Sequence, residues 1–202
     1  MASQSPKPAP TKHIAVLAFP FGSHSPPLLR LVGALSASAG GRVGVRFSFF
    51  STARSNDALF GGSEGFGDVR RCDVGDGWPE GHVPTGNPIE PVEMFLRATP
   101  GNFAAAMEAA ESEAGARFSC VVSDAFLWFA GDLAAETGVP WVPLWTSGPR
   151  SLLAHLETDE IRRRFGGGGE LVLAIFFGVF TFHGVWDCFF LFVETKSLYS
   201  FL

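Results

Sequence analysis

His13-Ile-Ala-Val-Leu-Ala-Phe-Pro-Phe-Gly-Ser-His24-Ser-Pro-Pro27 is the stretch that decides the fold. Ile14 to Phe19 is a short apolar run with the length and content of a buried strand. It stops at Pro20, passes Gly22 and Ser23, and delivers His24 just before Ser25-Pro26-Pro27. Ser25 is suited to cap a helix. Pro26 fits a first helical turn because its missing N–H would be unpaired there anyway. A side chain at the carboxyl end of a strand, beside a helix N-terminus, stands where open α/β sheets bind ligands. His24 is therefore a candidate site residue as well as a candidate surface or capping histidine.

Outward from this stretch the chain alternates strand-like and helix-like segments. Leu28, Leu31, Val32 and Leu35 have the spacing of one helix face, and Gly40-Gly41 ends that helix. Val43 to Phe50 reads as a second strand, and Ser55 to Gly67 as a loop with room for a short helix. Val69 to Val74 reads as an edge or weakly buried strand because of Arg70-Arg71. Gly75 to Pro91 is a long polar loop rich in Pro and Gly, of the kind that is either functional or disordered. Val92 to Ala114 is helical with a break at Thr99-Pro100-Gly101. Phe118 to Val122 is a strand, Phe126 to Thr137 a helix, Pro140 to Leu144 a strand, and a last helix occupies Ser151 to Phe165. Such alternation predicts an α/β fold, a parallel sheet covered by helices on both faces.

Bulk properties narrow the function. The 202 residues are enough for one substantial core, and a net charge of -5 gives no reason to expect nucleic acid or an acidic membrane as partner. Cys72, Cys120 and Cys188 are too few and scattered for a disulfide framework or a metal cluster, which fits reduced thiols and a cytoplasmic location. Residues 1–12 lack a signal-peptide core and read as a disordered lead-in. After Gly166-Gly-Gly-Gly169 the character changes. Leu171 to Val193 is apolar and long enough to span a membrane, but His183 and Asp187 would be costly in its middle. Residues 166–202 are therefore expected to be either a membrane anchor or sequence foreign to the domain, such as translated intron or a shifted frame.

Among residues able to do chemistry, Asp124 is the natural partner for His24. It too follows a strand and precedes a helix, so both emerge on one rim of a parallel sheet. A carboxylate there fixes the tautomer of a histidine base and stabilises the imidazolium formed in reaction. It can equally be a plain N-cap. Thr146 leaves another strand on that rim and either hydrogen-bonds a ligand or closes the Thr-Ser-Gly-Pro turn. The sequence has no Gly-x-Gly-x-x-Gly after the first strand, no P-loop, no His-Glu-x-x-His, no Cys-x-x-Cys and no Gly-x-Ser-x-Gly elbow.

Four separated motifs carry a resemblance. His13 to Leu29, Phe47-Ser-Phe-Phe-Ser-Thr52, Val122-Ser-Asp-Ala-Phe-Leu-Trp-Phe-Ala130 and Trp145-Thr-Ser-Gly-Pro-Arg-Ser-Leu152 resemble the amino-terminal domain of plant family 1 UDP-glycosyltransferases. Within that family they look most like flavonoid and anthocyanidin 3-O-glucosyltransferases, over about His13 to Arg164. The resemblance implies the Rossmann-like amino-terminal half of a GT-B fold, residues 13–165, that holds a flavonoid acceptor. It implies His24 as the base that deprotonates the acceptor hydroxyl and Asp124 as its partner. UDP-glucose would be a co-substrate, transfer would invert the sugar, and neither metal nor other cofactor would be needed. Acceptor-lining positions fall on Gly22, Phe126 and His155, and donor contacts on Ser23 and Thr146. A family glutamine that bonds the acceptor falls on Ile89, which leaves acceptor preference open. The family's second-domain signature is missing. His183-Gly-Val-Trp-Asp187 echoes it only by coincidence, so an inactive, truncated chain with weak UDP-sugar binding is expected. A non-catalytic flavonoid-binding or regulatory module is the alternative.

Overall fold

The computed structural model describes residues 10, 12–38, 44–165 and 190–191. The lead-in, the Gly40-Gly41 stop, and the tail with its apolar run, His183, Asp187 and Cys188 lie outside the described residues. The chain forms two compact units, Met1–Leu144 and Trp145–Leu202, and each is described by itself.

The first unit is built on parallel strands β1 (Lys12–Leu17), β2 (Val45–Thr52), β4 (Val69–Val74), β5 (Cys120–Asp124) and β6 (Trp141–Trp145, which runs into the second unit). A two-residue strand, β3 (Gly65–Phe66), pairs antiparallel with β4, so the sheet is mixed rather than purely parallel. Its order is β3-β4-β2-β1-β5-β6. Gly65 permits the tight hairpin: its φ is +149°, and a Cβ would come within 2.2 Å of the Val69 carbonyl oxygen. Val69 to Val74 is thus shielded at the margin by β3 rather than being the outermost strand.

Side chains alternate along the strands and divide the core. Ala15 and Leu17 join a cluster with Phe50, Phe95, Phe103, Leu127 and Phe129. Val16 and Ala18 join Leu28, Val32, Phe47, Phe49 and Phe60 on the other side. Helices α1 (Ser25–Ser38) and α2 (Ala53–Phe60) therefore cover one face. Helices α3 (Glu90–Ala98), α4 (Gly101–Ala114) and α5 (Ala130–Thr137) cover the other. Each fully buried Phe or Leu contributes about 1.5–3 kcal/mol of transfer free energy. The predicted α/β architecture with helices on both faces is present.

Local chemistry shifts several boundaries. The region read as loop with a short helix contains α2, whose Thr52 cap accepts from Ser55 N at 3.4 Å and whose end is Gly61 in the left-handed conformation. Helix α5 starts at Ala130, not Phe126, because Asp124 Oδ1 takes the Phe126 N–H at 2.9 Å and the chain turns before it coils. In the second unit the single helix read over 151–165 is two, α6 (Pro149–Leu156) and α7 (Thr158–Phe165), divided at Glu157. Gly148 precedes Pro149 at N1, and Ser151 Oγ donates to the Gly148 carbonyl at 2.8 Å. No helix among the described residues is long and apolar enough to cross a membrane.

Candidate functional site

Strand connections place the site. The links through α1 and α2 step from β1 to β2 to β4 in one direction. The link through α3 and α4 returns to β5 on the other side of β1. β1 and β5 are thus neighbours whose outgoing connections cover opposite faces, which is the topological switch point where open α/β sheets form a crevice. Their register pairs Leu17 with Ser123, so the loop after β1 and Asp124 lie on the same carboxyl edge.

Across that edge His24 Nδ1 and Asp124 Oδ2 stand 2.8 Å apart. His24 is 5% exposed and Asp124 0%. An ionised carboxylate only accepts hydrogen bonds, so Nδ1 carries the proton it donates and the basic lone pair belongs to Nε2. Asp124 makes two contacts at once: Oδ2 accepts from the imidazole while Oδ1 accepts Phe126 N–H as a turn cap. Ser25 Oγ donates to the Phe19 carbonyl at 2.7 Å, which ties the loop back on itself.

Aromatic rings frame the imidazole. Phe126 lies 4.5 Å from the His24 ring centroid and Phe19 5.2 Å, and Phe19 and Phe21 meet edge-on at 5.3 Å. Phe95 of α3, fully buried, packs edge-on against Phe19 at 6.0 Å and Phe21 at 5.6 Å. Edge-to-face packing of this kind fixes ring orientation as well as burying area. Phe19, Phe21 and Phe95 carry no site signal of their own in the sequence. Only their place in the Phe-Pro-Phe at the strand exit marks the first two, whereas Phe95 becomes visible only when α3 docks.

The structure brings His24, Asp124 and Phe126 into contact. Gly22, at φ +61°, and Ser23 are exposed in the loop that leads to His24. A Cβ on Gly22 would meet His24 Cδ2 at 3.8 Å, so the position needs glycine for its backbone angle rather than for space. Thr146 and His155 belong to the second unit. There His155 stands edge-on to Trp145 at 4.8 Å, and burial pushes its pKa below 6.5. Trp145 Nε1 donates to Ser151 Oγ at 3.0 Å. Ile89 is an exposed apolar side chain just before α3.

Comparison with known proteins gives consistent relatives, although no family model matches. The chain is 54% identical over 156 residues to a flavonol 3-O-glucosyltransferase of Actinidia chinensis var. chinensis, covering 76% of this chain and 33% of that protein. It is 49% identical over 160 residues to an anthocyanidin 3-O-glucosyltransferase of Gentiana triflora, covering 78% and 35%. The crystal structure of a UDP-glucose:anthocyanidin 3-O-glucosyltransferase in complex with UDP superposes with a TM-score of 0.69 at 38% identity, covering 76% of this chain and 34% of that one. The chain spans about a third of the length of the curated relatives it matches. Its architecture is that of the amino-terminal domain of GT-B glycosyltransferases.

Proposed function

Because the chain is a relative of the plant flavonol and anthocyanidin 3-O-glucosyltransferases, we propose that it carries the acceptor-binding, base-bearing part of an enzyme that transfers glucose from UDP-glucose to a flavonoid hydroxyl. The observation that carries this is the 2.8 Å His24–Asp124 contact at the switch point of the sheet. Nε2 of His24 takes the hydroxyl proton as the acceptor oxygen bonds to the anomeric carbon. The bond from that carbon to the UDP oxygen breaks with its electron pair on UDP, and attack from the opposite face inverts the centre. Asp124 keeps the Nδ1 proton in place and stabilises the imidazolium that forms. UDP-glucose is a co-substrate, and the step calls on no metal or other cofactor.

Phe126 supplies an aromatic surface for the acceptor next to the base. Gly22 supplies the left-handed turn that leads the loop to His24, and the resemblance assigns His155 to the acceptor and Thr146 and Ser23 to the donor. Ile89 offers apolar contact where a glutamine would offer a hydrogen bond. The buried carboxylate on the imidazole does more than cap the turn at Phe126, which favours catalysis over a passive flavonoid-binding module. Transfer requires both substrates held together. A polypeptide spanning about a third of these relatives' length is expected to bind UDP-glucose weakly and turn over little by itself.

The test is a chimera in which residues 13–165 replace the matching segment of the Actinidia enzyme. It should glucosylate a flavonol, and His24→Ala should cut kcat by about 10²–10⁴-fold, the usual contribution of a positioned base, with flavonol binding little changed. Transfer by the His24→Ala chimera at the parent rate would overturn the assignment.

A further inference from the structure

Gly75 to Ile89, between β4 and α3, contains no helix or strand, yet it is fastened at several points. Asn102 Nδ2 donates to the Gly75 carbonyl at 2.7 Å. Gly77 has φ +82°, and a Cβ there would come within 2.1 Å of the Met94 carbonyl oxygen, so the backbone lies directly on α3. The Trp78 and His82 rings stand 4.7 Å apart. The densest fastening is Glu90, the first residue of α3 and only 6% exposed. Its Oε1 accepts from His82 Nε2 at 2.9 Å, and its Oε2 accepts from Thr85 N at 2.7 Å and Thr85 Oγ1 at 2.6 Å. The Thr85 and His82 hydrogen bonds hold this carboxyl below the usual carboxylate range. A buried carboxylate is costly unless its oxygens are satisfied, and here three donors and a helix N-terminus do so.

The same helix carries Phe95 onto Phe19 and Phe21, and Phe19 in turn packs on His24. Phe95 is five residues beyond Glu90, about 7.5 Å along the axis. One short helix thus joins the loop at its first turn to the aromatic frame of the imidazole at its second. The loop carries exposed apolar side chains at Val83 and Ile89.

We propose that Glu90 is a positioning residue for the acceptor site: its carboxylate fastens the His82–Thr85 part of the loop onto the start of α3, so that Ile89 is held in place for a planar polyphenol at the head of the helix that carries Phe95 onto Phe19 and Phe21. The inference rests on the functional reading of His24 given above. A loop already ordered loses less entropy when the ligand arrives, so loosening it weakens binding without touching the base.

The experiment uses the full 202-residue chain, with a flavonol titrated by fluorescence quenching and hydrogen exchange followed at Thr85 and Ile89. Glu90→Ala should speed exchange at both amides and raise the flavonol Kd about tenfold. Glu90→Gln, which keeps an acceptor oxygen, should recover part of both. Thr85→Val removes one donor and leaves α3 intact, so it serves if Glu90→Ala does not fold; its Kd should rise about threefold. His24→Ala should leave exchange in the loop unchanged. Faster exchange with an unchanged Kd, in either Glu90→Ala or Thr85→Val, overturns the proposal while leaving the functional reading in place. Absence of flavonol binding by the parent chain overturns both.

Discussion

β1 carries a buried histidine near its amino end and is followed by another beyond its carboxyl end, and the two are differently employed. His13, near its amino end, is 1% exposed. Its Nδ1 donates to the Ala116 carbonyl at 3.0 Å, its Nε2 pairs with Ser48 Oγ at 2.8 Å, and its ring lies 4.1 Å from Phe118. His24, beyond the carboxyl end, holds a carboxylate. A carbonyl and a carboxylate both only accept, so both rings carry the proton on Nδ1. At His13 the Ser48 hydroxyl donates to Nε2, and the ring's hydrogen-bond partners are a carbonyl and a hydroxyl rather than a carboxylate. Burial, with Arg46 adding to it against Ala116 and Glu111, pushes its pKa below 6.5. The same imidazole in the same tautomer is a structural clasp at one end of the strand and the proposed base at the other. The charge of the Nδ1 partner makes the difference.

The sharpest way to break this contrast is Asp124→Asn in the chimera. An amide can present N–H to Nδ1, which forces the opposite tautomer and puts the proton on Nε2. Transfer should fall by about 10²–10⁴-fold, and steady-state rates retained at the parent level would show that the carboxylate is only a turn cap.

Next in size is Ser48→Ala, which takes the donor from His13 Nε2 and leaves a buried acceptor unpaired. A loss of about 1–3 kcal/mol is expected, seen as a fall in Tm of roughly 2–4 °C per kcal/mol, with the chimera's kcat unchanged. Cys72 also bonds Ser48 through its side chain, and burial raises that thiol to about 11, so it stays neutral near pH 7.

The smallest effect concerns pH. Because His13 has a lower pKa folded than unfolded, the unfolded chain binds more protons below about 6.5, and stability drains away as pH falls through that range. His155 shifts in the same direction and adds to the slope. The carboxyl groups of Glu90 and Asp73 are both depressed and act only at lower pH. His13→Gln should flatten Tm against pH between about 6.5 and 5. An unaltered slope would assign the titration elsewhere.

The sequence alone determined the elements wherever one signal dominated. Apolar runs bounded by Pro, Gly or Ser located β1, β2, β5 and β6 within about two residues, and Pro100-Gly101 marked the break between α3 and α4. His24 and Asp124 were legible because each stands at a strand exit before a helix. Other features depend on partners distant in the chain. Phe126 was assigned to a helix that begins only at Ala130, because the competing Asp124 cap is a side-chain choice that no periodicity records. The β3 hairpin has two residues and no pattern of its own. His13 and Glu90 acquire their meaning from Ser48, Ala116, His82 and Thr85, which only folding assembles. Local propensity and hydrophobic period thus specify which segments are strands and helices. That β1 lies beside β5, and that an imidazole and a carboxylate a hundred residues apart meet at 2.8 Å, was decided by sheet order and register, which arise from long-range burial.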